Sequence, residues 1–222
     1  NILIFAMIEL ANIDTWGDNI KDKIIYLNKL EEENEEKKSK KTNLMKLNKK
    51  RMNVIRKYTE RKEKIINQII EELDQRKIAC YHCTRLTKDE YYYVKERGLV
   101  VLTKEGQVER IKKLNLEENY KNQLIENIKV EDLSSRENQI HFIYSLKSID
   151  FGCIPFLENW GGESICYNVN KFEIIREKII NISEPYIIKF AIKYSDMCAG
   201  FFIENMKKRL KYGKIYRGSS YK

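Results

Sequence analysis

Residues 78–100 read IACYHCTRLTKDEYYYVKERGLV, and this stretch decides the fold class. Ile78 to Cys83 is apolar on both faces, as a short buried strand is. Thr87 and Glu90 have the spacing of a capping box, with Leu86 and Tyr91 placed as the hydrophobic staple around it. Gly98 stands where a left-handed residue would end the helix, with Val94 and Leu99 at the paired apolar positions of a Schellman end. The prediction is a strand, a tight turn and a helix of two to three turns. His82, one of only two histidines, is thereby delivered to the lip of a cleft.

Working outward, 222 residues suit one medium domain with an extension. A hydrophobic share of 42% excludes a disordered chain, and 34% charged residues exceed the usual quarter. The net charge of +9 favours acidic partners: nucleic acid, nucleotides or an anionic membrane surface. Five cysteines, an odd number, read as reduced thiols of an intracellular, cytoplasmic protein. Cys80-x-x-Cys83 could be half of a zinc site, but no second closely spaced pair follows, and small buried strand residues are the preferred reading. No metal is expected.

Residues 1–10 are apolar but too few to span a bilayer, and they lack the basic region and cleavage site of a signal peptide. No membrane anchor is read there. A first residue of Asn1 is what a fragment, or a start at Met7, would give. Ile13 to Leu30 predicts a helix capped by Asp14 or Thr15, with Ile20, Ile24, Leu27 and Leu30 on one face. The run EEENEEKKSKK that follows reads as a solvated face or a flexible connection. Lys46 to Arg76 predicts a second long helix. Segment 37–64 carries thirteen basic and two acidic residues. It could hold a phosphate backbone, with salt-dependent affinity. The preferred reading is a packed helical hairpin kept soluble by its lysines.

Beyond the opening stretch, Thr103–Leu114 and Asn115–Ile128 predict helices, the second with a capping box at Asn115 and Glu118. Glu131 to Asn138 reads as a polar loop. Ile140 to Leu146 alternates as a strand does, with Ile140, Phe142, Tyr144 and Leu146 on one face. Phe151–Asn159 reads as a short helix or turn, Trp160-Gly161-Gly162-Glu163 as a turn, and Ser164–Val169 and Tyr186–Ile192 as strands. Phe201–Leu210 reads as a helix, before a C-terminal tail. The layout is α+β: a lysine-rich helical arm over 1–76, then strands mixed with helices over 77–222. No phosphate loop, dinucleotide fingerprint, zinc-protease motif or nucleophile elbow is present.

His82 and His141 are therefore the main candidates for chemistry, each against the plainer reading of a hydrogen-bonded strand histidine. Glu163 follows two glycines that let a ligand approach the backbone, or it is a turn carboxylate in solvent. Trp160 is either a core aromatic or a stacking surface. Arg85 either holds a phosphate with its fork of donors or pairs with an acid on the next helix.

Tyr81-His82-Cys83-Thr84, with the helix ending at Gly98-Leu99, is similar to the strand-turn-helix that opens the NAD-binding half of ADP-ribosyltransferases. The branch concerned holds the poly(ADP-ribose) polymerases and the tRNA 2′-phosphotransferases. The stretch IHFIYS, followed by FLENWGGESICY, looks like the phosphotransferase-type pattern. The chain also resembles uncharacterised bacterial proteins with an HCTRLTxxE opening and a WGGE turn. The resemblance covers about Ile78 to Ile192 and implies a split mixed or antiparallel sheet core with flanking helices over 77–222. It implies NAD as substrate, with His82 on the adenosine ribose, Thr84 supporting the turn, the backbone near Cys83 holding the nicotinamide amide, and Arg85 and Trp160 beside them. His141, Tyr144 and Ser145 would line the second wall, and Glu163 would stand in for the late-strand acid. Cys83 replaces the family's glycine, and the expected final strand would lie beyond Lys222. The implied activity is transfer of ADP-ribose to an acceptor, as in bacterial toxins and defence proteins. A non-catalytic nucleic-acid or partner-binding module and an RNA 2′-phosphotransferase are the alternatives.

Overall fold

A computed structural model describes residues 7–39, 48–101, 103–126, 128, 139–161, 172–197 and 202–212. Within them the chain is mixed α+β, mostly helical, with a two-stranded antiparallel sheet. It packs as two compact units, one formed by Asn1–Cys80 with Ala191–Tyr221 and the other by Tyr81–Phe190. The boundary read from sequence at 76/77 lies four residues from the first of these crossings. No helix among the described residues is long and apolar enough to cross a membrane.

In the first unit, a 3-10 turn over Ile13–Trp16 is capped by the Asn12 side chain, which accepts from the Asp14 amide. Gly17 then takes φ +74°, and the helix expected from Ile13 starts instead at Asp18 (α1, Asp18–Ser39). Arg76 explains the glycine. Its guanidinium donates to the Trp16 and Thr15 carbonyls at 2.5 and 3.0 Å, and a Cβ on Gly17 would lie 2.2 Å from Nη1. The stripe Ile20, Ile24, Leu27 and Leu30 is buried. Helix α2 (Asn48–Arg76) runs back along α1: Lys62 meets Glu31 at 2.9 Å, and Lys23 meets Glu72. The apolar stripe of α2 divides, with Ile69 and Leu73 buried but Met52, Val54 and Ile55 exposed. At the far end of the chain, the helix Phe202–Tyr212 buries Phe202, Ile203 and Met206. Its buried Lys207 reaches Glu31 at 2.5 Å and Glu204 at 3.0 Å. Burying a cation here is tolerable because two carboxylates compensate it.

Most of β1 (Ile78–Thr87) and β2 (Ser183–Ile192) falls in the second unit; β1 continues beyond the Cys83 limit read from sequence and pairs with β2. Both bonds of the capping box form, Thr87 N–H to Glu90 at 2.9 Å and Glu90 N–H to Thr87 Oγ1 at 3.3 Å, opening α3 (Lys88–Arg97). Gly98 has φ +84° but ψ −176°, an extended mirror conformation open to glycine. The chain thus leaves α3 without the expected Schellman turn. Helix α4 (Lys104–Lys113) is capped by Thr103, and α5 (Glu118–Glu126) starts at Glu118, not at the Asn115 cap. The bend between them lets Leu114 join the core instead.

Short α6 (Ile154–Glu158) and α7 (Glu173–Asn181) complete the unit. The core gathers Ile111, Leu114, Leu124, Ile128, Trp160, Ile175 and Ile179. The strand expected over Ile140–Leu146 is not formed. Ile143 makes one antiparallel bridge with Tyr81, and a 3-10 turn (Leu146–Phe151) begins once the Ser145 hydroxyl accepts from the Lys147 amide. The loop at Glu131–Asn138, Gly162, Glu163, the strand over Ser164–Val169 and the C-terminal tail lie outside the described residues.

Candidate functional site

The bridge between Tyr81 and Ile143 brings the two histidine segments side by side. His82 Nδ1 lies 2.7 Å from the His141 carbonyl oxygen. A carbonyl only accepts, so Nδ1 carries the proton and donates it. Burial holds the His82 ring below its ordinary pKa, and the Arg110 charge adds to this against the His141 hydrogen bond. The neutral, Nδ1-protonated ring leaves Nε2 as a hydrogen-bond acceptor.

Around His82 the remaining candidates divide by what they touch. Thr84, Tyr144 and Ser145 are buried, and the Phe142 and Tyr144 rings meet in a T-shaped arrangement with centroids 5.5 Å apart. Cys83 is buried beside Cys153, and burial first, then this neighbour, push its thiol up to about 12. Burial does the same to Cys80. Three residues apart on a strand, Cys80 and Cys83 project to opposite faces, so they do not form the half zinc site considered from their spacing.

Arg85 is committed to its own chain. Its Nε donates to Ser183 Oγ at 2.9 Å, Nη1 to the Leu157 carbonyl at 3.1 Å, and Nη2 to the Ile180 and Ser183 carbonyls at 3.0 and 2.7 Å. It neither pairs with an acid on α3 nor presents a free fork for a phosphate. The guanidinium clamps β1 to the C-terminal ends of α6 and α7, where helix carbonyls carry partial negative charge.

Trp160 is the core aromatic, 1% exposed. Its indole N–H donates to Glu90 at 2.8 Å, and the Arg110 guanidinium lies 4.7 Å from its ring centroid. With that exposure it offers no stacking face to a ligand. Glu90 is the hub: beyond capping α3 it accepts from Arg110 Nε at 2.7 Å. Burial alone would push the Glu90 carboxyl up. Together the Arg110 charge and the hydrogen bonds from Trp160, the Thr87 backbone and Arg110 outweigh this and hold it below the usual carboxylate range. The sequence spacing identified Glu90 only as a cap; nothing local pairs it with residues 20 and 70 positions away.

Of the predicted site residues, the structure sets His82 against the backbone of His141, with Cys83 and Thr84 following Tyr81 on one side of the bridge and Tyr144 and Ser145 following Ile143 on the other. It assigns Arg85 and Trp160 to the scaffold, and Glu163 lies outside the described residues. Comparison with family models, curated proteins and solved structures finds no match.

Proposed function

We propose that the chain is an NAD-consuming, ADP-ribosyltransferase-like enzyme, of the kind found among bacterial toxins and defence proteins. The observation that carries this reading is the fixed tautomer of His82 against the His141–Ser145 segment. An acceptor nitrogen held in place suits a ribose hydroxyl, which donates a proton. In the proposed reaction the glycosidic bond between the nicotinamide nitrogen and the ribose carbon of NAD breaks, and nicotinamide leaves with the electron pair. The acceptor nucleophile then bonds to that carbon and gives up its proton. Glu163 is assigned by the sequence resemblance to stabilise the oxocarbenium ion electrostatically. Positioning does much of the rest, since nicotinamide is already a good leaving group. The split sheet of that family is part of the same proposal.

The test is nicotinamide release from NAD, followed by chromatography. Wild type should release it, His82→Ala and Glu163→Gln should lose at least tenfold in rate, and all three should keep the same circular dichroism. Full activity in folded His82→Ala would sink the assignment.

A further inference from the structure

The helical arm holds a feature that NAD chemistry does not use. Tyr26 of α1 and Arg61, Lys64, Ile65 and Gln68 of α2 line a groove of about 470 Å³. Positions 61, 64, 65 and 68 fall on one face of the helix, and Lys57 continues that face one turn earlier. From Lys57 to Gln68 the line is about 16 Å long at 1.5 Å per residue. Three other cations of the hairpin are paired: Lys62 with Glu31, Lys23 with Glu72, Arg56 with Glu60. Among the described residues, Lys57, Arg61 and Lys64 are exposed and form no ion pair. The facing wall supplies a ring, with Tyr26 46% exposed. A stripe of cations beside an available aromatic face is the arrangement that takes up phosphates and an unpaired base together.

We propose that this groove binds single-stranded nucleic acid. Lys57, Arg61 and Lys64 hold successive phosphates, one base lies against the Tyr26 ring, and Gln68 offers its amide to that base. A duplex does not fit this chemistry, because its bases are stacked on one another and closed to Tyr26. The surrounding segment 37–64, with thirteen basic and two acidic residues, draws the polymer in from a distance. The proposal stands independently of the NAD reading.

Fluorescence anisotropy with labelled 20-mers of U and dT, and a 20-base-pair duplex, tests it on the full chain. Single strands should bind more tightly than the duplex. Tyr26→Leu, which keeps the apolar packing but removes the ring, should weaken single-strand binding by about tenfold, and Tyr26→Phe should not. The double variant Arg61→Ala, Lys64→Ala should flatten the slope of log affinity against log salt by about 1.4, two contacts at roughly 0.7 each. Equal affinity for duplex and single strand, or no effect of Tyr26→Leu, would mean a diffuse lysine surface and overturn the site. So would absence of binding by the wild type.

Discussion

Replacing Arg85 by alanine should reveal whether its guanidinium holds the second unit together or serves a ligand. The side chain donates four hydrogen bonds, three of them to backbone carbonyls. A bond from a charged donor contributes about 1.5–3 kcal/mol, so simple addition gives roughly 6–12 kcal/mol. That sum is too large, because the site is half-buried and water recovers part of what the carbonyls lose. A loss of about 3–5 kcal/mol is the expected scale, matching removal of one partner from a buried charged network. At this chain length that lowers the melting temperature by about 6–20 °C. Arg85→Lys should lose roughly half as much, since an ammonium serves these acceptors as a point charge without the planar fork. Urea unfolding followed by circular dichroism measures both variants. A loss under about 1 kcal/mol for Arg85→Ala, with NAD affinity abolished, would refute the clamp and restore the phosphate-binding role.

Three further outcomes follow from the same structure. Glu90→Gln should cost about 2–3 kcal/mol at neutral pH and flatten the acid limb of the stability curve. The folded pKa of Glu90 is depressed, so its contribution is complete above the unfolded value of about 4.3 and is lost as pH falls through the folded value. A wild-type stability curve no steeper than the variant's below that pH would count against the hub. Trp160→Phe should cost about 2–3 kcal/mol through lost volume and the unanswered Glu90 acceptor, read by denaturant melts. A cost near zero would return Trp160 to the surface. Gly17→Ala should destabilise by about 2–4 kcal/mol, because φ +74° with ψ 150° is a glycine conformation and the new Cβ would meet Arg76. An unchanged melting temperature would show that Arg76 moves aside without loss.

What was legible in the sequence was what is decided locally. The capping box at Thr87 and Glu90 and the buried stripe of α1 depend on residues within a turn or two, and both are present. Ile140–Leu146 misled because alternation describes a segment with two unlike faces, whereas a strand also needs partners along its length. Ile143 finds one bridge, and Ser145 then diverts the chain into a 3-10 turn. The sequence reading predicts no helix at α7, although Ile175 and Ile179 are four apart and both belong to the core. The isoleucines beside them, Ile174 and Ile180, blur that period. For the candidate site, the family resemblance implies that the two histidine segments lie near each other, and one bridge joins them. The commitments of Arg85 and Trp160 were not legible, because their partners lie as far as 98 and 70 residues away. Such side chains look alike in sequence whether they wait for a ligand or are already occupied by the fold.

Titration calorimetry of NAD into the wild-type chain decides between an enzyme and a scaffold built around a structural histidine. Saturable heat at a 1:1 ratio, lost in folded His82→Ala and retained in the Arg61→Ala, Lys64→Ala variant, is the predicted result. An absence of heat from wild type, together with no nicotinamide release, would contradict an NAD site at His82.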